Sequence, residues 1–242
     1  MKTNKVVVAV IGWLLNSTLF ASNLDNHALI TVSLGPAWSD AGKTQTIDLQ
    51  PSLQQTYVAN PKSEVAGDGE IFLGEQISLS SRLQAQLGLA LAGTLSYTLV
   101  GDVWQDAEPE FDNFDYSYKI SHTHIAVKSK LLTDIKQFVQ PYVSGSVGVG
   151  FNRAYSYNST PILFEVLPEP PFLNHTTTSF TYTVGVGLQK SVSNHCILGM
   201  GYEFADWGAS NLAAAADQTS TSSLHLSHLY TNQLQLSLSF IA

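Results

Sequence analysis

Apolar and polar residues alternate with a period of two along most of the chain. The longest uninterrupted run is Arg82–Tyr97. Leu83, Leu87, Leu89, Leu91, Leu95 and Tyr97 hold its odd positions, with Ala85 and Gly93. Arg82, Gln84, Gln86, Gly88, Ala90, Ala92, Thr94 and Ser96 hold the even ones. Successive side chains of a β-strand point to opposite faces, so the run predicts one strand with an apolar face and a polar or small face. It is far longer than the ~5–6 residues usual in globular sheets. It also exceeds the ~9–11 residues with which a tilted strand crosses a bilayer.

Seven further stretches carry the same period: Ala28–Trp38, Gly69–Ser80, Phe114–Lys130, Phe138–Phe151, Thr176–Leu188, Cys196–Phe204 and Leu224–Phe240. Two of them contain misfits. Glu75 falls on the apolar face of Gly69–Ser80, so either a bulge shifts the register or the face assignment fails there. In Phe114–Lys130, Tyr116, Tyr118 and Ile120 fit one face while Ile125 and Val127 fit the other, so either a bulge lies near His122–His124 or the face assignment fails there. Long polar connections (Asp40–Gly67, Gly101–Asn113, Asn152–Asn174 and Asp206–Ser222) follow the first, third, fifth and seventh strands, and short ones follow the rest. Eight strands joined in this way make an up-and-down sheet, and closure into a barrel removes its exposed edges.

Composition decides which face is wet. Charged residues make up 12% of the chain, against ~25% in soluble proteins. The stretches 83–101, 137–152, 176–188 and 224–242 contain no Lys, Arg, Asp or Glu. A water-soluble calyx would carry charge on its outer surface. Here the second face is Gly, Ala, Ser, Thr and Gln, suited to the crowded interior of an eight-stranded barrel. The apolar face therefore points to lipid, and Trp38, Tyr97, Tyr142, Phe151, Phe180, Tyr202, Phe204, Tyr230 and Phe240, near strand ends, are expected at the interfacial girdles. The fold class expected is all-β: an eight-stranded antiparallel up-and-down transmembrane β-barrel.

Residues 1–21 read as a signal peptide, with Lys2 and Lys5 ahead of the apolar Val6–Phe20 and small residues at Ala21 and Ser22. The barrel domain is then 22–242. The net charge of −8 argues against a nucleic-acid partner, and the single Cys196 excludes an internal disulfide framework.

The pattern resembles the small eight-stranded outer-membrane β-barrels of Gram-negative bacteria, of the OmpA-transmembrane-domain and opacity-protein type. Gln140-Pro141-Tyr142-Val143 through Gly148-Val149-Gly150 is similar to the family's fifth strand, and Gly201-Tyr202-Glu203-Phe204-Ala205-Asp206-Trp207-Gly208 to its seventh. The C-terminal strand ending in Phe240 resembles the signal read by the barrel assembly machinery, although Ile241 and Ala242 follow it. The resemblance implies periplasmic N- and C-termini, four extracellular loops, contact with outer-membrane lipid and lipopolysaccharide, and a structural or adhesin-like role toward host surface molecules.

Candidate chemistry is sparse. Glu203, Lys119 and Arg82 are the candidate lumen charges. Glu203 and Lys119 are expected to pair, because each is isolated among uncharged neighbours and a buried charge requires a partner. His122 and His124 share a strand face, but no third metal ligand is identifiable; His225 and His228, three apart, point to opposite faces. No serine–histidine–carboxylate grouping stands out. No catalytic residue, metal site or cofactor is therefore expected. A narrow channel and a lipid A-modifying enzyme are the alternative functions. The acidic run at Gly101–Asn113 reads as a solvated surface.

Overall fold

The computed structural model of the chain describes residues 26–39, 42–50, 53–60, 64–133, 139–162, 171–214 and 222–242. The expected signal peptide lies outside these residues. Eight strands close the ring in the order β1 (Asn26–Ser39), β4 (Glu64–Ser80), β5 (Leu83–Thr94), β7 (Asp112–Thr133), β8 (Gln140–Pro161), β9 (His175–Ser193), β10 (Cys196–Asp206) and β13 (Tyr230–Ile241). Every contact between neighbours is antiparallel, and β13 returns to β1.

The register gives the barrel's geometry. The paired positions Ala28, Glu75, Leu87, Ser129, Gly145, Val184, Phe204, Asn232 and Trp38 trace one row around the ring. The row leaves β1 at residue 28 and re-enters it at residue 38, a stagger of ten residues. Over eight strands this tilts each strand by about 40°, within the range usual for barrels.

The outer face between the rims is apolar. Ile30, Val32, Leu34, Ile71, Leu73, Leu91, Ile125, Val127, Val147, Val184, Val186, Leu198, Met200 and Leu236 are all exposed. The inner face is polar: Thr31, Ser33, Glu70, Gln86, Lys128, Ser146, Thr183, Glu203 and Gln233 are buried. This is the arrangement a lipid environment requires, with each ring strand hydrogen-bonded to a neighbour on both sides. Glu75 stays on the outer face with no bulge beside it. It lies near the foot of the tilted row, at the rim that carries the short turns.

Above the belt the chain does not relax into loops. The polar segment after β1 forms the hairpin β2 (Gln45–Gln50) and β3 (Leu53–Ala59), which pairs with β6 (Tyr97–Gln105). Strand β6 in turn pairs with the upper part of β7, and the upper part of β8 completes this upper sheet. The acidic segment is mostly strand, interrupted by a short 3-10 turn at Pro109–Phe111. The final expected strand is also divided. β11 (Ser210–Asn211) pairs with β12 (His225–Leu226) before β13 begins. Leu224 and Leu226 consequently lie in a buried core and not on the lipid face.

Two of the bulges in this upper region set side-chain directions near the barrel mouth. From Gly93 to Tyr97 the chain advances four residues while its partner β7 advances three, from Thr123 to Ile120. The extra residue leaves Leu95 outside and turns Tyr97 inside. The other extra residue lies in β8 opposite Ser117–Lys119, where Ser156 has φ of 55°. No shift occurs at His122–His124. The inner face of β7 runs unbroken from Phe114 to Leu132 and changes only in chemistry.

Candidate functional site

The middle of the lumen is filled by an ion cluster. Lys128, from β7, is 1% exposed. Its Nζ donates to Glu70 Oε1 and Oε2 at 2.8 and 2.7 Å and contacts Glu203 Oε2 at 2.8 Å. Strands β4, β7 and β10 are therefore tied across the barrel. Lys128 is what allows the two carboxylates to be buried side by side, because each ion has left water and the two anions would otherwise repel. Gln76, Gln84 and Gln86 interlock on the side of the short turns. There Tyr142 reaches across to β9 and β10, where a Cβ on Gly187 or Gly201 would collide with its hydroxyl. Lys130 Nζ sits 5.1 Å from the Tyr142 ring centre. Tyr142 and Tyr97 thus point into the barrel and are not girdle residues.

Toward the outside, His122 Nδ1 meets Asn152 Oδ1 at 2.7 Å and its Nε2 meets His124 Nδ1 at 2.9 Å. Asn152 Nδ2 donates to the Trp207 and Ala209 carbonyls, both at 2.7 Å. The Trp207 ring stacks on His122, with centroids 4.3 Å apart and planes 8° from parallel. Trp207 and Tyr97 close the lumen and continue into an apolar core. That core includes Ile47, Tyr57, Val103, Phe114, Tyr116, Tyr118, Phe172, Leu212 and Leu224. Residues from all four long connections or their flanking strands thus pack over the barrel mouth.

The expected charges part company. Glu203 is inside, but its partner is Lys128 and not Lys119. Lys119 is exposed on the outer face of β7, and Arg82 is exposed in the turn between β4 and β5. Lys128 escaped the sequence reading because the change of face expected at His122–His124 left the direction of the rest of the strand undetermined. Another pair, 22 residues apart, could not be read from local spacing: His228 Nδ1 contacts Asp206 Oδ2 at 2.8 Å on the outer rim. The carboxylate orients the imidazole. Among the described residues no hydroxyl or thiol side chain hydrogen-bonds to His228, and no three His, Cys, Asp or Glu side chains are grouped to hold a metal.

On the upper sheet, Asp102 and Asp115 face each other across β6 and β7. Burial, then the Asp112 and Asp115 charges, raise the Asp102 pKa. Tyr116, buried and near Asp102, is pushed up to about 12.

No protein-family profile and no curated protein sequence matches the chain. Solved structures do resemble it. The outer membrane protein OprG of Pseudomonas aeruginosa is 11% identical with a TM-score of 0.51, over 88% of this chain and 96% of that one. The outer membrane protease OmpT of Escherichia coli is 9% identical with a TM-score of 0.49, over 92% and 99%. Neisserial surface protein A is 12% identical with a TM-score of 0.43, over 87% and 96%. The likeness to OprG shows the fold. The chain is a small outer-membrane-type transmembrane β-barrel.

Proposed function

We propose that the protein is a sealed bacterial outer-membrane barrel whose working part is the folded extracellular sheet, a surface for contact with other molecules. The observation that carries this reading is the apolar core running without interruption from Tyr97 and Trp207 at the barrel mouth to Tyr57, Phe172 and Leu224 above it. A diffusion pore needs that space open; a display platform needs it filled. In this reading residues 1–21 direct export and are removed, the short turns and both termini face the periplasm, and the strand ending at Phe240 is presented to the barrel assembly machinery. Host surface molecules are the expected partners of the outer sheet. The enzymatic alternative would rest on Asp206–His228, which has an oriented imidazole but no neighbouring nucleophile among the described residues.

Purified protein in planar bilayers should give no steady conductance. Intact cells should bind host extracellular matrix through the outer sheet, and lose that binding when β2–β3 is replaced by a short turn. Steady conductance by the unaltered protein would overturn the sealed-barrel reading in favour of the narrow channel. Unchanged binding after the replacement would remove the sheet's assigned role.

A further inference from the structure

Above the belt the wall has an open seam between β2 and β12. Among the described residues β2 pairs only with β3, and β12 only with β11. Strand β2 follows β1, β12 precedes β13, and β1 pairs with β13. The two free edges therefore stand side by side, across a cleft of about 860 Å³. Residues 43–47 line one side and residues 225–227 the other, with residues 209–211 of the β11 arm behind them. Consecutive side chains of a strand point to opposite faces. A cleft that touches each residue in turn thus lies against the backbone edges and not against one face.

One side-chain amide already spans the seam. The His225 backbone N–H donates to Gln45 Oε1 at 3.2 Å, and Gln45 Nε2 donates to the Lys43 carbonyl at 3.2 Å. Accepting from one edge and donating to the other is the work of a peptide unit in an inserted strand. Ser210, 1% exposed and also in the lining, has a hydroxyl with no hydrogen-bond partner among the described residues. One residue of a strand in a packed sheet takes up roughly 160 Å³, from its rise and the strand and sheet spacings. The cleft therefore holds about five residues, close to the six of β2.

The lining selects the occupant. Among the described residues it contains no Trp, Tyr or Phe on which a sugar ring could stack, and Lys43 is its only Lys or Arg. The β11–β12 arm stands opposite β2, so the sheet of a second folded barrel could not reach that edge, whereas one extended chain can lie along it. Ile47 and Leu226 are buried on the core side, and Thr46 and His225 are exposed on the water side. A strand between them has to alternate in the same way.

We propose that the β2–β12 seam takes up an extended segment of a partner protein, about five residues long, by strand insertion. Its backbone hydrogen-bonds both free edges, and its alternate apolar side chains face the core beside Ile47 and Leu226. It displaces the Gln45 amide as it enters. The inference deepens the surface-contact reading and rests on it.

The test is fluorescence anisotropy with the full barrel in lipid nanodiscs. The probe is a labelled synthetic peptide holding three Thr-Val repeats between lysines, compared with the same peptide N-methylated on its valines. N-methylation keeps the side chains and removes the donors toward one strand edge. The unaltered protein should bind the first peptide about tenfold or more tightly than the second. Gln45→Ala, which vacates the seam, should tighten binding of the first peptide about threefold or more. Ser227→Trp, which fills the cleft, should abolish it. Equal binding of the two peptides by the unaltered protein, or binding of neither, would overturn strand insertion. Saturable binding of a neutral oligosaccharide that displaces the peptide would overturn it in favour of a carbohydrate site. These comparisons use the unaltered protein and stand even where a variant does not fold. Matrix binding by intact cells separates the two readings. Cells that bind through the upper sheet while the barrel takes up neither peptide would fault the seam alone. Unchanged cell binding after replacement of β2–β3 would fault the surface-contact reading itself.

Discussion

Strand β7 passes through two environments on one unbroken alternation. Near its lower end, beside the short turns, its inner side chains are His124, Ala126, Lys128 and Lys130, and its outer ones are Ile125, Val127 and Leu131. Near its upper end the inner side chains are Phe114, Tyr116, Tyr118 and Ile120, and the outer ones include Asp115, Ser117 and Lys119. In the belt, lipid solvates the outside and the lumen takes the polar groups. Above it, water solvates the outside and the inside becomes an ordinary apolar core. The lower half is held by charge compensation and the upper half by burial of apolar surface, so the two should fail differently.

The largest expected effect is in the lower half. Lys128→Met leaves Glu70 and Glu203 buried together without the ammonium that bridges them. It should destabilise the barrel by about 3–5 kcal/mol, read from reversible urea unfolding in lipid. Adding Glu70→Gln and Glu203→Gln to that variant should recover most of the loss. Failure to recover would mean that Lys128 serves mainly as packing.

Leu224→Ala should cost about 2–4 kcal/mol, but only in the upper half. Hydrogen exchange should accelerate in β3, β6 and upper β7 while the belt strands keep their protection. Uniform acceleration throughout the barrel would show that the two halves unfold as one unit.

The smallest effect concerns pH. Asp102 has a raised pKa in the folded sheet, so ionising it there costs more than in the unfolded chain. The penalty is absent below the ordinary carboxylate range and present once the pH exceeds the folded-state value. Asp102→Asn should therefore slow exchange in β6 at neutral pH, by on the order of a few tenths of a kcal/mol after solvent screening, and change nothing in acid. A variant that destabilises β6 at neutral pH would contradict this sign.

Much of the barrel was legible in the sequence because period-two alternation is local. It located all eight ring strands, turned Leu87 and Leu91 to lipid and Gln84 and Gln86 to the lumen, and directed Glu203 inward. What was misread lies mainly in the upper half. The segments containing β2, β3 and β6 looked like loops because their apolar residues are few and interspersed with polar ones; they become strands by pairing on one another over a shared core. Tyr97 was expected to face lipid because one extra residue near Thr94–Ser96 leaves no mark in the alternation. Lys119 was chosen over Lys128 because Tyr116, Tyr118 and Ile120 looked like lipid-facing residues, although they line the inside above the membrane.

Arg82–Tyr97 shows the division most clearly. Its alternation by itself determined a membrane-length strand with one apolar and one polar or small face. Only the tertiary structure decided which medium each face meets at each height, where the alternation slips, and which charges come together. Those properties depend on the ten-residue stagger of the closed ring and on contacts between distant strands. No local pattern encodes them.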